Sequence, residues 1–173
     1  MFADPLSIIK QFGVTEGMHI ADIGAGSGHY VLALAPLLRT GKVYAIDVQR
    51  ELLDRIKAHA TEQGSTNVEI LWANAEKLRG TKLADNSLDA LIISNVLFQI
   101  EDKDTFAEEM KRILKPSGRA LIIDWTESFG GMGPAEHHVF SKGNAVDLFT
   151  KHGFSIGGDI GAGAHHFGII VNK

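Results

Sequence analysis

Short apolar runs alternate along this chain with stretches whose apolar positions return every three or four residues. The runs are Met18 to Ile23, Lys42 to Asp47, Val68 to Trp72, Ser87 to Asn95 and, after the turn Leu114 to Gly118, the residues up to Ile123. Runs that short and that continuous read as strands buried on both faces. The helical pattern covers about Tyr30 to Leu38, Glu51 to Gln63, Lys103 to Leu114 and Lys142 to His152, the last capped by Ser141 and closed by Gly153. Ahead of them all, Asp4 as N-cap, Pro5 at the first helical position and Gly13 past the last turn mark one short helix, Asp4 to Phe12. Strand and helix in alternation specify an α/β, doubly wound sheet, mostly parallel, with helices on both faces. The ending breaks the rhythm. Only Gly161 to His166 separate the runs Phe154 to Ile160 and Phe167 to Asn172, which leaves no room for a crossover helix and predicts an antiparallel hairpin.

The sharpest local signal is Asp22-Ile23-Gly24-Ala25-Gly26-Ser27-Gly28-His29, set between the first strand and the first long helix. Glycine is needed where the backbone turns sharply and where a ligand must approach the main chain. Strand, glycine turn and helix together form a cofactor cradle. The spacing is Gly-x-Gly-x-Gly, whereas a nicotinamide fingerprint asks for Gly-x-Gly-x-x-Gly. About twenty residues further on, the second strand ends in Asp47, a carboxylate that can take both hydroxyls of an adenosine ribose. That position suits nicotinamide and S-adenosylmethionine alike.

The third strand runs into Ala73-Asn74-Ala75-Glu76, and with that loop the chain resembles the class I S-adenosylmethionine-dependent methyltransferases, particularly their small type-11 branch. The resemblance extends from about Gly17 to the C-terminus and rests on ordered motifs, including Ser87 to Asn95 and Leu114 to Ile123. It implies the Rossmann-like methyltransferase fold, a seven-stranded sheet with its last strand inserted beside the fifth; a length of 173 residues suits one domain, residues 1–173. It further implies S-adenosyl-L-methionine as cofactor, held by Asp22, Gly24, Ala25, Gly26, Gly28, Tyr30, Asp47, Val48, Asn74, Ala75, Glu76, Ser94 and Asn95. Asn74 departs from the family, which most often has Asp there, so an uncharged amide must take the adenine contact.

Composition narrows the chemistry. Cysteine is absent, which excludes disulfides, thiolate nucleophiles and cysteine-dependent methyl transfer. No run approaches the length of a membrane span, and the start, Met1 to Pro5, lacks a basic leader, so a cytoplasmic setting is expected. A formal charge of −4 and the lack of Lys/Arg clusters argue against a nucleic-acid partner. The Asn/Asp-Pro-Pro-Tyr/Phe signature of many base amino-methyltransferases is also missing.

The methyl acceptor is therefore expected to be a small molecule with an oxygen or nitrogen nucleophile, handled by a monomer or homodimer. Its wall is sought in Phe98 after the fourth strand and in the loop Asp124 to Pro134, where Trp125 offers a flat surface. Eight histidines include the pairs His137-His138 and His165-His166. An antiparallel last strand beside the fifth brings its start level with Asp124 and Trp125. That makes His165 or His166 a candidate base with Asp124 beside it, and His138 a candidate substrate contact. Adjacent strand residues face opposite ways, so only one of the pair can face the acceptor. A metal site from His137 or His138, His165 or His166, and Asp124 is a competing reading, although its spacing matches no known motif. A nicotinamide-dependent oxidoreductase and a non-catalytic adenosyl-binding module are the alternatives to a methyltransferase.

Overall fold

A computed structural model describes residues 4–129 and 131–173; Met1, Phe2 and Ala3 of the chain start and Gly130 of the loop after the fifth strand lie outside the described residues. Seven strands form one sheet in the order β3-β2-β1-β4-β5-β7-β6. They are β1 (His19–Ile23), β2 (Lys42–Asp47), β3 (Val68–Trp72), β4 (Leu88–Ser94), β5 (Leu114–Trp125), β6 (Ser155–Asp159) and β7 (His166–Asn172). The first five pair in parallel, and β7 pairs antiparallel with both β5 and β6. The expected hairpin is thus present, with its second strand inserted beside β5.

Period-two alternation along the strands divides the core between the two faces. On β4, Ala90 and Ile92 join a cluster with Ile8, Ile9, Val31, Leu34, Leu53 and Ile56, which come from α1 (Pro5–Phe12), α2 (His29–Leu34) and α3 (Arg50–Glu62). Leu91 and Ile93 face the other way, onto Phe106, Met110, Ala145 and Phe149 of α4 (Lys103–Ile113) and α5 (Lys142–Lys151). α1 begins and ends where the sequence said it would. Asp4 accepts from the Ser7 N–H, and Gly13 takes the left-handed conformation at φ 75°. Its buried Ile8, Ile9 and Phe12 each gain about 1.5–3 kcal/mol by leaving water. α2 is shorter than its pattern, because the chain breaks into turns after Leu34.

The link between β3 and β4 carries turns and no helix. What holds it is a buried carboxylate on α4. Glu109 accepts from the backbone N–H groups of Arg79 and Thr81 at 2.7 and 3.2 Å and from the Thr81 hydroxyl at 2.6 Å, and it pairs with Arg112 at 2.7 Å. Burial alone would raise its pKa. The bonds from Arg112, Thr81 and the two amides outweigh that and hold it at about 2. Asp85 in the same link meets Arg112 at 2.6 Å. The link therefore stays against α4 and carries the loop that follows β3 to the open edge of the sheet. Among the described residues, no helix is long and apolar enough to cross a membrane.

Candidate functional site

At the carboxyl ends of the parallel strands the chain encloses a cavity of about 780 Å³, at the crevice where open α/β sheets bind ligands. It runs from the loop after β3, past β2, β1 and β4, to Ile123 of β5 and His166 of β7, and Asp4, Pro5 and Ile8 of α1 also line it.

The glycine turn is shaped by two different demands. Gly26 sits at φ 52° on the cavity wall, where an added Cβ would meet only the Gly24 carbonyl, at 3.8 Å, and would otherwise stand in open space. Gly28, at φ 81°, turns its back on the cavity: a Cβ there would fall 2.6 Å from Ile56, so it permits α2 to approach α3. That is why Gly28, unlike the other expected cofactor residues, is not part of the wall.

Two carboxylates set the electrostatics. Asp47 Oδ2 accepts from the Gly26 N–H at 2.9 Å and Oδ1 from the Gln49 N–H at 2.8 Å, which ties the glycine turn to the end of β2. Asp22, near the end of β1 and paired with Ala45 of β2, is only 2% exposed. Burial first, and then the charge of Asp47, push its pKa up to about 7. Tyr30, whose hydroxyl bonds Ser94, is raised to about 12 by burial against the effect of that bond, with a further push from Asp22. After β3, Asn74 Oδ1 accepts from the Glu76 N–H at 2.9 Å and so turns the loop, while Glu76 accepts from the Glu101 N–H at 3.0 Å. The amide that was expected to face adenine therefore already serves the loop through its oxygen. Asn95 sits at φ 58°, and its buried Oδ1 has no hydrogen-bond partner among the described residues.

The histidine pair divides as strand geometry requires. Trp125 is paired with His166 across β5 and β7, and the Thr126 N–H donates to the His165 carbonyl at 2.9 Å. His166, 7% exposed, lines the cavity. Burial, and then the neighbouring His165, lower its pKa. His165 leaves the cavity: its Nδ1 meets Glu127 at 3.0 Å, and its ring stacks on Phe129 at 3.7 Å.

The remaining acceptor-side expectations are placed away from the wall. Asp124 is fully buried; it accepts from the Leu97 N–H at 2.9 Å and its own Trp125 N–H at 2.8 Å, and the amides of Phe98 and Val96 also pull its pKa down. Burial wins, at about 6. A carboxylate wrapped in backbone donors holds the turn after β4 and has no face toward an acceptor. Phe98 is half-buried in that turn, outside the wall. Trp125 is a plug: its indole lies 4.3 Å from the His166 ring and against Gly133, where a Cβ would come within 2.7 Å of it. His138 is exposed, beside His137 in a single 3-10 turn. Among the described residues, no group of three or more His, Asp or Glu could hold a metal ion, so the competing metal reading is not assembled.

Sequence reasoning missed Gln99, Ile100 and Phe106 beyond β4, and Ala162 in the hairpin turn.

The donor set fits S-adenosylmethionine: carboxylates for its ribose hydroxyls and cationic groups, a glycine turn without side chains, and an apolar slot. The comparisons agree. A family model described as a methyltransferase domain matches residues 14–150. The ubiquinone/menaquinone biosynthesis C-methyltransferase UbiE of Hahella chejuensis is 30% identical over 77% of this chain and 53% of its own length. UbiE of Pseudoalteromonas translucida is 31% identical over 82% of this chain and 53% of its own. This chain spans about half the length of those curated relatives. The crystal structure of a SAM-dependent methyltransferase from Aquifex aeolicus superposes with a TM-score of 0.88 at 32% identity, covering 98% of this chain and 89% of that one. The chain belongs to the methyltransferase domain family, in its S-adenosylmethionine-dependent class.

Proposed function

We propose that this chain transfers the methyl group of S-adenosylmethionine to an oxygen or nitrogen nucleophile of a small molecule, with His166 receiving the acceptor's proton. The observation that carries this reading is the continuity of the cavity, which passes from the Asp47 and Asp22 carboxylates to the buried imidazole of His166 without a break. The bound cofactor supplies an activated methyl group on a sulfonium. Asp47 holds the ribose, Asn74, Ala75 and Glu76 border the adenine, and Asp22 faces the positive groups of the methionine end. Ser94, Asn95, Tyr30, Val48, Gly24 and Ala25 complete that wall.

The rest of the chemistry is positioning. Alignment of donor and acceptor can lower the barrier by about 7 kcal/mol or more in favourable cases. Beyond the methionine end the wall becomes apolar, with Ile123, Ala162, Pro5 and Ile8, and His166 is its one imidazole on the β7 side. A depressed pKa keeps that ring neutral, and so able to take a proton, below the ordinary imidazole range.

Transfer of an isotope-labelled methyl group from S-adenosylmethionine into fractionated small molecules, RNA and protein tests the reading. Label is expected in the small-molecule fraction, on oxygen or nitrogen. A methyl bonded to carbon would support a second reading, which the C-methyltransferase names of the curated relatives favour. Label in RNA or protein alone would defeat both.

Asp47→Ala should weaken S-adenosylmethionine binding in a folded protein. Hydrogen bonds to a charged group contribute about 1.5–3 kcal/mol, or roughly 10–150-fold in affinity. Calorimetry checks this, and an unchanged Kd would remove Asp47 from the ribose position.

A further inference from the structure

On the side away from the loop after β3, the cavity is closed by Pro5 and Ile8 of α1, Ile123 of β5, Ala162 of the hairpin turn and His166 of β7. All of these but Pro5 are buried. Apart from two imidazoles and the Tyr30 hydroxyl, every ionisable side chain of the wall is a carboxylate: Asp4, Asp22, Asp47 and Glu76 line it, and no lysine or arginine does. We infer that the methyl acceptor is a small molecule with an apolar body and no anionic group, so that carboxylates, phosphates and sulfates are rejected. The inference rests on the methyl-transfer reading above and adds the class of the acceptor to it.

The exclusion holds wherever in the cavity the acceptor lies. An anion that enters gives up its water, and a buried charge is stable only beside a partner of opposite sign. The four residues outside the described set, Met1, Phe2, Ala3 and Gly130, bring no cationic side chain. Two lysines stand beside this region and are engaged by carbonyls: Lys103 Nζ donates to Ile100, and Lys82 Nζ to Trp72 at 2.7 Å. Neither belongs to the wall. Among the described residues, the wall groups able to turn cationic are the imidazoles of His29 and His166. His29 is exposed, where solvent weakens any ion pair. Burial and His165 keep His166 neutral to lower pH than an ordinary imidazole, and a ring that receives the acceptor's proton has to be neutral beforehand.

The bound cofactor does not reverse this balance. Its ammonium and sulfonium are outnumbered by its own carboxylate together with the four of the wall. An uncharged acceptor meets none of these costs, and its apolar body gains contact with Ile8, Ile123 and Ala162. Selection of this kind works through what the rejected ligand leaves unpaired. For one buried, unpaired charge the loss is about 100-fold or more in affinity.

Acceptor pools sorted by charge test the inference. A whole-cell small-molecule extract is passed over an anion exchanger at pH 8, which retains anionic compounds and passes neutral and cationic ones. Each pool is then given to the chain with S-adenosylmethionine carrying an isotope-labelled methyl group. Label is expected in the unretained pool, at about 100-fold or more over the retained one. A preference below about tenfold, or label mainly in the retained pool, overturns the inference and leaves methyl transfer standing. Label in neither pool overturns the small-molecule reading, and the inference with it. A second measurement needs no turnover: saturation-transfer NMR of the cofactor-free chain at pH 8 with benzyl alcohol and with benzoate at equal concentration. Transfer to benzyl alcohol and not to benzoate is expected. Equal transfer to both, or transfer to benzoate alone, overturns the inference, and transfer to neither overturns the apolar end as a binding surface.

Discussion

Glu109→Ala is expected to destabilise the fold by about 3–5 kcal/mol, the cost of removing one partner from a buried ion pair. Arg112 would lose its 2.7 Å bond to a carboxylate that is itself fully buried, and the Arg79 and Thr81 amides and the Thr81 hydroxyl would lose their acceptor in the same step. For a chain of this size that loss lowers Tm by roughly 6–20 °C. Glu109→Gln should fall between, because the amide keeps one acceptor oxygen and loses the charge. The pH dependence has a fixed sign. Glu109 is held at about 2, below its ordinary 4.5, so its stabilisation is complete above 4.5 and disappears as pH falls toward 2. Thermal melts of wild type and both variants between pH 2 and 7 check this. A loss under about 1 kcal/mol for Glu109→Ala would mean that the link between β3 and β4 is held by something other than this carboxylate.

That network shows where the sequence stops being legible. The central strands could be read because they bury both faces and so form continuous apolar runs, as in Leu91 to Ile93. α1 could be read because its caps are local: Asp4 bonds an N–H three residues away, and Gly13 takes a conformation that other residues avoid. The hairpin could be read because six residues cannot carry a crossover. Glu109 could not. Arg79 and Thr81, whose amides it holds, lie about thirty residues upstream, and on the pattern of α4 it occupies one more polar position of an amphipathic helix.

The site divides along the same line. The proposed cofactor side lies at the ends of strands and in the loops that directly follow them, so Asp22, Asp47 and Asn74 are placed by β1, β2 and β3. The acceptor side is assembled from distant pieces. Strand pairing correctly brought His166 beside Trp125, but it said nothing of which groups would be satisfied on the way. Asp124 has the right level and the wrong surroundings, since the amides after β4 occupy its carboxylate. Trp125 has the right level too, and fills the space over Gly133. Asp124 is read as a site residue from strand register and Trp125 from its flat ring, and in the structure neither lines the cavity. They position the turn that carries Asn95 and the loop that follows β5.

His166→Asn is expected to lower the methyl-transfer rate by about 10²–10⁴-fold, the usual contribution of a positioned general base, with cofactor affinity nearly unchanged. His165→Asn should leave the rate close to wild type, because that ring sits on Glu127 and Phe129 and not on the cavity wall. The two variants differ by one residue along the same strand start, so a general loosening of β7 would damage both alike, and only an effect on the cavity separates them. The pH profile gives a second, independent readout. Burial and His165 hold His166 below the ordinary imidazole value, so its neutral form persists to lower pH, and the acidic limb of kcat should lie below 6.5. Asp22, near 7, belongs to the earlier stage we propose, cofactor binding, so its limb should appear in Kd and vanish from kcat once cofactor is saturating. His166→Asn should abolish the kcat limb and leave the Kd limb in place. Full turnover in His166→Asn, or an equal loss in His165→Asn, would remove the imidazole from the proton transfer and leave the acceptor's proton to water.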